Sequence, residues 1–391
     1  MIDKDFFDTP VDRRGTDSYK WDTPESQGVI PMWVADMDFM TAPVVTEALH
    51  GVVDRGIFGY TVVPDRFYEA VTGWFSRRHG WDFCRQDMLY TTGVVPAVSA
   101  VIKAMTNPGD GVALLTPAYN CFFSSIRNNG CSVVECPLVV AEDGRYEVDY
   151  DALHTVLNRE DVKVFIMCNP HNPGGRVWTR EELLRIGRMC LEAGVLVLSD
   201  EIHCELVYGA HRYIPFASID EEVAQNTVTC ISPSKSFNTA GLQIAMVVSP
   251  VKEYRERIDR AINDNEVCDV NPFGIAGLIA AYTQGEEYLD ALVKYLYGNF
   301  DMLKLYFAES LPELAVMPLE GTYLAWIDIK PLGMTSEEVA AYIHEKAKVR
   351  INPGTMYGQA GEGYIRINFA CPRSVLQDAL ERITSVLKQI H

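Results

Sequence analysis

The sequence predicts an α/β protein with a large domain, built on a mostly parallel sheet flanked by helices, and a smaller α+β domain. Three observations support this prediction. The chain has 391 residues, which is too many for one simple hydrophobic core. Short apolar runs alternate with helical patterns between residues 45 and 250. After residue 290 the order of strands and helices changes, which is typical of a second, smaller unit.

The apolar runs of the first part have the composition of strands that are buried on both faces. They span residues 111–117, 163–170, 194–201, 227–234 and 243–250. Between the second and third runs, Thr179 and Glu182 have the spacing of a capping box and Gly194 stands where the helix should end. A strand, a helix and a strand in this order predict parallel pairing.

The last part of the chain contains two further strands and two further helices. YLAWIDI (323–329) and YIRINFA (364–370) are typical of strands, and Thr335 with Glu338 opens a capped helix. The final helix carries Leu376, Leu380, Ile383 and Leu387 on one side. We expect the large domain to span residues 46–285, and residues 1–45 and 286–391 to form the small domain.

The composition excludes some classes of function. The formal net charge is −19, which argues against a basic nucleic-acid-binding face and against adsorption to anionic membranes. The N-terminus lacks a signal-peptide pattern and no apolar run is long enough to span a membrane. The ten cysteines include no CxxC pair, so we expect reduced, buried cysteines in a cytoplasmic protein and no metal site.

Polar clusters follow three of the apolar runs directly. They are NPHNPGG (169–175), SDEIH (199–203) and SPSKSFN (232–238). Ligands of open α/β sheets bind at the carboxyl ends of the strands. A buried strand gains nothing by ending in Asn, Asp or Lys unless these side chains find partners. We therefore expect the three clusters to form one site.

A pyridine aldehyde phosphate requires the residue types that these clusters contain. It needs a lysine amine to form an imine, a carboxylate to keep the ring nitrogen protonated, and a donor to its phenolate oxygen. Lys235, Asp200 and Asn172 would supply these groups. The sequence thus predicts a site for pyridoxal 5'-phosphate (PLP).

The same residues resemble the fold-type I PLP enzymes of the class I/II aminotransferase superfamily. The resemblance covers nearly the whole chain, and it implies the PLP-dependent transferase-like fold with a seven-stranded sheet. It implies that Lys235 carries PLP as a Schiff base, that Asp200 pairs with the pyridinium nitrogen and that Asn172 binds the ring 3-oxygen. Tyr119 would stack on the ring and act with Lys235 and Asp200 in catalysis. His203 stands where many relatives carry a tyrosine that faces this oxygen.

The resemblance also implies residues for the phosphate and for the substrate. The phosphate would bind to the turn at a helix N-terminus, to hydroxyls beside the lysine and to a tyrosine from the neighbouring subunit of a homodimer; these residues are Gly93, Val94, Val95, Ser232, Ser234 and Tyr60. Arg366 would grip the substrate α-carboxylate, and Ala35 and Tyr60 would contact the substrate. Many aminotransferases carry a phosphate-binding arginine eight residues after the lysine, where this chain has Gln243.

Five separated segments narrow the resemblance to the cystathionine β-lyase/maltose-regulon-modulator group of C–S β-lyases. They are PMWVADMDF (31–39), GYTVVPD (59–65), TPAYNCFF (116–123), DEIHCEL (200–206) and SKSFNTAGLQ (234–243). The group implies cleavage of L-cystathionine or related thioether amino acids to a thiol, pyruvate and ammonia. An aminotransferase is the alternative. A regulatory binding module and a non-catalytic PLP carrier remain open as lesser alternatives, and no sequence feature specifies a regulatory protein partner.

Overall fold

A computed structural model describes residues 4–264, 266 and 269–390. The strands of this part of the chain, in chain order, are β1 (Ile30–Pro31), β2 (Met88–Thr91), β3 (Gly111–Thr116), β4 (Ser132–Pro137), β5 (Val139–Val140), β6 (Tyr146–Glu147), β7 (Val162–Cys168), β8 (Leu196–Asp200), β9 (Thr227–Ile231), β10 (Ala245–Val248), β11 (Leu324–Asp328), β12 (Val349–Arg350), β13 (Asn352–Pro353) and β14 (Tyr364–Asn368). The five strands predicted in the first part of the chain are confirmed as β3, β7, β8, β9 and β10.

The α-helices lie between and after these strands. They are α1 (Lys4–Asp8), α2 (Pro43–Val53), α3 (Asp65–His79), α4 (Val94–Met105), α5 (Asn120–Asn128), α6 (Tyr150–Leu157), α7 (Arg180–Ala193), α8 (Glu221–Gln225), α9 (Lys252–Asn263), α10 (Pro272–Gln284), α11 (Glu286–Ser310), α12 (Ser336–Tyr342) and α13 (Arg373–Leu387). A single π-helical turn, Ile343–Ala347, follows α12. No helix of the described residues is both long and apolar enough to cross a membrane.

The central sheet has seven strands in the order β2-β10-β9-β8-β7-β3-β4. β10 runs antiparallel to both of its neighbours, and the other pairings are parallel. The prediction of a mostly parallel sheet is therefore confirmed. Successive side chains of β7 point to opposite faces, so that Phe165 and Met167 join one buried cluster while Val164 and Ile166 join another.

Helix α7 shows how local sequence signals place a layer on this sheet. Thr179 accepts a hydrogen bond from the backbone of Glu182, whose side chain accepts one from the backbone of Thr179. Gly194 ends the helix in the left-handed conformation, with φ of 65°, where a residue with a side chain would be strained. The apolar face of α7 then packs into the same cluster as Phe165 of β7.

The C-terminal part forms a second, antiparallel sheet of three strands, in the order β11-β14-β13. The predicted strands YLAWIDI and YIRINFA are β11 and β14, and the helix that Thr335 and Glu338 cap is α12. The four apolar residues predicted to share one side of α13 are fully buried: Leu376, Leu380, Ile383 and Leu387. This smaller α+β unit packs beside the large sheet, and β1 pairs in parallel with β12.

The cysteines of the described residues are free thiols, and most of them are buried. Cys84 is exposed and Cys121 is partly exposed, so the prediction of buried, reduced cysteines holds for the others described. Cys268 lies outside the described residues.

Candidate active site

The polar strand ends meet at a cavity of about 320 Å³ at the carboxyl edge of the large sheet. The parallel register aligns Cys168 of β7 with Asp200 of β8, and Asp200 with Cys230 of β9. Segments that follow these three strands must therefore emerge side by side. The cavity is lined by Ala35, Thr92, Gly93, Val94, Val95, Pro96, Tyr119, Cys168, Asn172, Asp200, Ile202, His203, Ser234, Lys235, Ala240, Gln243 and Ile244.

Asp200 is a buried carboxylate with little to compensate its charge. Its side chain lies at the end of β8, it is 4% exposed, and it accepts a hydrogen bond from the backbone N–H of Ile202 at 3.1 Å. Burial raises the pKa of Asp200 to about 6, although Ile202 and the charge of Lys235 act in the opposite direction. Burying a carboxylate without a cationic partner costs desolvation free energy. A bound ligand with a positive charge near Asp200 would offset this cost.

Lys235 lies in the turn after β9 and faces the same cavity. Its Nζ donates a hydrogen bond to the backbone carbonyl of Ala35. Burial lowers the pKa of Lys235 to about 8; the Asp36 carboxylate opposes this effect and the Arg366 guanidinium adds to it. An amine with a pKa near neutrality is a competent nucleophile and general base.

Asn172 and Arg366 connect the large sheet to the small one. Arg366, on β14, donates from Nη1 to Asn172 Oδ1 at 3.1 Å and from Nη2 to the carbonyl of Trp33 at 2.8 Å. Because Oδ1 is engaged, the Asn172 amide nitrogen is the group left to donate to a ligand. Arg366 Nε is buried and has no hydrogen-bond partner among the described residues, so the guanidinium retains an unused donor.

His203 and Tyr119 both line the cavity. Burial, together with the charges of Lys235 and Arg366, holds the pKa of His203 well below its usual value, so the ring is neutral. Its Nδ1 is buried without a hydrogen-bond partner in the described structure. Burial also raises the pKa of Tyr119, to which the neighbouring Cys121 contributes, so Tyr119 keeps its proton.

The N-terminus of α4 opens into the cavity. Gly93 is the N-cap, and Val94 and Val95 begin the helix, so their backbone N–H groups and the helix dipole create a favourable place for an anion. Ser234 and Gln243 also line the cavity. The resemblance implies a phosphate-binding turn at Gly93, Val94 and Val95, and this role stays a prediction.

Three predicted site residues lie off the cavity wall in the single chain. Ser232 is buried and donates its hydroxyl hydrogen bond to the Ile244 carbonyl at 2.8 Å, while its oxygen accepts from the backbone of Ser234. Arg366 does not line the cavity, but it donates a hydrogen bond to Asn172, which does. Tyr60 is 99% exposed and borders a different surface cavity, together with Ile57 and other residues.

The structure places further residues beside the cavity that are not among the predicted site residues. Tyr323 is buried and donates a hydrogen bond to the Ala35 carbonyl at 2.9 Å, and its ring packs edge-on against His203. Asp36 and Cys121 both act on the charge of Lys235. The signals were present, because Asp36 belongs to WVADMDF and Cys121 follows Tyr119 by two residues, but only the fold shows what they face.

One group of residues has the composition of a metal site, although the sequence predicts none. His79, Cys204 and Glu205 place potential ligand atoms within 4.8 Å of one another. Both oxygens of Glu205 are already engaged, since Trp74 donates to Oε1 at 2.6 Å and Arg78 donates to Oε2 at 3.1 Å. A guanidinium at this distance repels a cation, so we interpret the group as a satisfied buried carboxylate.

The chain matches the family "Aminotransferase class I and II" over residues 28–383. Among curated proteins it is 41% identical to cystathionine beta-lyase PatB of Bacillus subtilis, with 97% of this chain and 99% of the relative covered. It is 33% identical to protein MalY of Escherichia coli, with 98% and 99% covered. These relatives confirm the predicted resemblance to the cystathionine β-lyase/maltose-regulon-modulator group.

Solved structures of PLP-containing enzymes also resemble this chain. Cystalysin from Treponema denticola, which contains a pyridoxal 5'-phosphate cofactor, superposes with a TM-score of 0.95 at 33% identity, and both chains are covered completely, at 100%. The PLP-bound C–S lyase of Staphylococcus hominis gives a TM-score of 0.90 at 33% identity, over 97% of this chain and 98% of that one. The chain is a member of the aminotransferase class I and II family.

Proposed function

We propose that this protein is a PLP-dependent C–S β-lyase of the cystathionine β-lyase type. It cleaves L-cystathionine or a related thioether amino acid to a thiol, pyruvate and ammonia. The observation that carries the proposal is the single cavity that Lys235, Asp200 and Asn172 face together, in a chain whose relatives include cystathionine β-lyases and C–S lyases.

The groups that line the cavity fit PLP. The buried carboxylate of Asp200 lacks a close cationic partner within the described chain, and a protonated pyridine nitrogen would supply one. Asn172 keeps an amide donor for the ring oxygen, and His203 adds a neutral ring beside it. Tyr119 provides an aromatic face, and the N-terminus of α4 attracts the phosphate. When bound, PLP supplies an electron-accepting ring that stabilises negative charge at the substrate Cα.

Residues of the chain would carry out proton transfer and substrate binding. Lys235 would hold the cofactor through its aldehyde carbon and, as a free amine beside bound substrate, would take the Cα proton as general base, for which a pKa of about 8 is suitable. Arg366 offers its guanidinium to the substrate carboxylate, the bidentate pairing for which arginine is suited. Ala35, which lines the cavity, would contact the substrate. The thiolate would then leave from Cβ. The remaining aminoacrylate would be released and would hydrolyse to pyruvate and ammonia.

The phosphate would be held by Gly93, Val94, Val95 and Ser234, with Ser232 positioning the backbone of Ser234 through its hydroxyl. Gln243 stands where many aminotransferases place an arginine, so backbone donors and hydroxyls carry more of the binding.

We further propose a homodimer with shared active sites, in which Tyr60 of one subunit reaches the phosphate and substrate in the other. Its full exposure in the single chain supports this, because the surrounding segment also exposes large apolar side chains that an interface would bury. These are Ile57 at 81%, Phe58 at 59% and Val62 at 84% exposure.

An aminotransferase is the second candidate, because the family to which the chain belongs is named for that activity and both reactions need the same residues until the Cα proton is removed. After that step, the lyase expels a leaving group from Cβ, whereas the aminotransferase returns the proton to the cofactor.

We further propose that the large domain spans residues 46–285 and that residues 1–45 and 286–391 form the small domain. We place the enzyme in the cytoplasm, in amino-acid metabolism.

The proposed reaction is tested by incubating the PLP-loaded protein with L-cystathionine and measuring pyruvate. We expect pyruvate release, and we expect Lys235→Ala to lower it by about 10²-fold to 10⁴-fold because the general base is lost. Lys304→Ala, which removes an exposed lysine on α11, should match the parent. Absence of pyruvate together with keto-acid-dependent amino transfer would establish the alternative activity instead.

The raised pKa of Asp200 predicts how the free energy of unfolding depends on pH. The folded chain retains this proton up to about pH 6, whereas the unfolded chain loses it near the ordinary value of 3.8, so stability falls as the pH rises through this interval. In cofactor-free protein, Asp200→Asn should raise the free energy of unfolding by about 1–3 kcal/mol at about pH 8, and by much less at about pH 4.

Urea unfolding followed by circular dichroism measures this difference. Asp38→Asn is the matched control, because Asp38 is equally buried but is paired with Lys20 at 2.8 Å; this substitution should destabilise the protein. Destabilisation by Asp200→Asn at about pH 8 would show that the carboxylate is already compensated.

Shared sites predict complementation between two defective variants. A dimer that combines a Lys235→Ala subunit with a Tyr60→Ala subunit would contain one intact site, so random co-assembly should restore about a quarter of the parent activity. Co-assembly of Lys235→Ala with Asp200→Asn should restore none, because both defects affect residues that one subunit supplies to its own site. Activity no higher than that of the two separate variants would contradict the assignment of Tyr60.

A further inference from the structure

The segment 33–38, which precedes α2, lines the cavity at Ala35 and contacts three residues of the proposed site through its backbone. The carbonyl of Ala35 accepts hydrogen bonds from Lys235 Nζ and from the Tyr323 hydroxyl. The carbonyl of Trp33 accepts one from Arg366 Nη2 at 2.8 Å. The position of this segment therefore determines where Lys235 and Arg366 are held.

A cluster of four charged residues fixes this segment, and we call it the N-terminal clasp; Lys20 and Asp38 are buried, and Arg13 and Asp36 are partly exposed. Arg13 pairs with Asp36 and with Asp38, both at 2.7 Å. Lys20, which is 1% exposed, pairs with Asp38 at 2.8 Å and with Asp36 at 3.4 Å. Two positive and two negative charges hold the segment against the rest of the chain.

The two carboxylates of the clasp have different surroundings. Asp38 Oδ1 accepts from Arg13 and from Trp21 Nε1, and its Oδ2 accepts from Lys20. Asp36 Oδ2 accepts from Arg13, whereas its buried Oδ1 accepts no hydrogen bond from the described residues and has only the ion pair with Lys20 at 3.4 Å. Asp36 also follows Ala35 directly, so its carboxylate is one residue from the carbonyl that binds Lys235 Nζ.

The charges around Lys235 identify Asp36 as the main compensating group. Burial lowers the pKa of Lys235, and Asp36 is the strongest influence that raises it. Arg366 lowers the pKa further, and Asp200 and Cys121 raise it by less. His203 also faces Lys235, but its ring is neutral because burial lowers the pKa of His203 well below the usual value.

We propose that Asp36 is a positioning residue for Lys235: held by Arg13 and Lys20, it fixes the Ala35 carbonyl against Nζ and sets the balance between the charged and free forms of the amine. The inference rests on the proposed function, in which Lys235 must be a free amine to take a proton and must then carry it. Its carbonyl partner and its carboxylate neighbour both favour the protonated form.

The test measures acetylation of Lys235 by acetic anhydride in the full-length chain freed of PLP, with quantification of its peptide by mass spectrometry. Exposed Lys304 is the internal reference. We expect Asp36→Asn to speed labelling of Lys235 about three- to tenfold at about pH 7, because loss of the nearby negative charge increases the free-amine fraction. At about pH 10 the variants should label alike. In PLP-loaded protein, the pH midpoint of the visible absorbance change should move to lower pH.

Three variants separate this effect from a loss of folding. Asp38→Asn disturbs the same clasp without facing Lys235, and Asp36→Glu retains the charge, so both should label like the parent. Arg13→Gln removes one of the two cations that hold Asp36, so it should speed labelling at about pH 7 by less than Asp36→Asn does, which also tests the proposal if Asp36→Asn does not fold. Equal labelling of the parent, Asp36→Asn and Arg13→Gln would overturn the role of Asp36. The lyase assay on the parent protein decides the proposed function separately.

Discussion

The parallel register of β7, β8 and β9 is the constraint on which the candidate site depends. It aligns Cys168, Asp200 and Cys230, so the three polar segments that follow emerge at one edge of the sheet. Asn172, Asp200 and Lys235 are separated by 28 and 35 residues in sequence, yet they face one cavity. A shift in the pairing of β8 would turn Asp200 away from it, and the proposed chemistry would lose its carboxylate.

The small sheet contributes residues to the site. Arg366 on β14 binds Asn172 from the large sheet and Trp33 from the N-terminal segment. Tyr323, just before β11, meets Lys235 at the same Ala35 carbonyl. The site thus brings together uncompensated or pKa-shifted groups that would be costly in an ordinary core, which is typical of functional sites.

Much of the large domain follows from the sequence because its strands are continuous apolar runs that end in polar clusters. β2 and β4 were not predicted. β2 has four residues, and β4 lies at the edge of the sheet with alternating burial, so neither has the continuous apolar pattern of a central strand. The capped helix α7 was predictable since its signals are local.

In the site, too, residues with a local sequence signal could be predicted and residues that meet only in the fold could not. Lys235, Asp200 and Asn172 were predictable because each lies at the end of a buried strand or within four residues of it. The contact of Tyr323 with Ala35 and the ion pairs of Asp36 with Arg13 and Lys20 join residues that are distant in sequence, so spacing does not reveal them. The hydroxyl of Ser232 binds a backbone carbonyl, a local choice that the Ser-Pro-Ser-Lys motif leaves open.

The central claim is that the amine at position 235 is the one that binds the cofactor. Reduction of the PLP-loaded protein with sodium borohydride, followed by peptide mapping, tests it most directly. The account predicts a phosphopyridoxyl group on the peptide that contains Lys235, at one per chain, and none on Lys235→Ala. A label carried by another lysine, or protein that takes up no PLP at all, would contradict it.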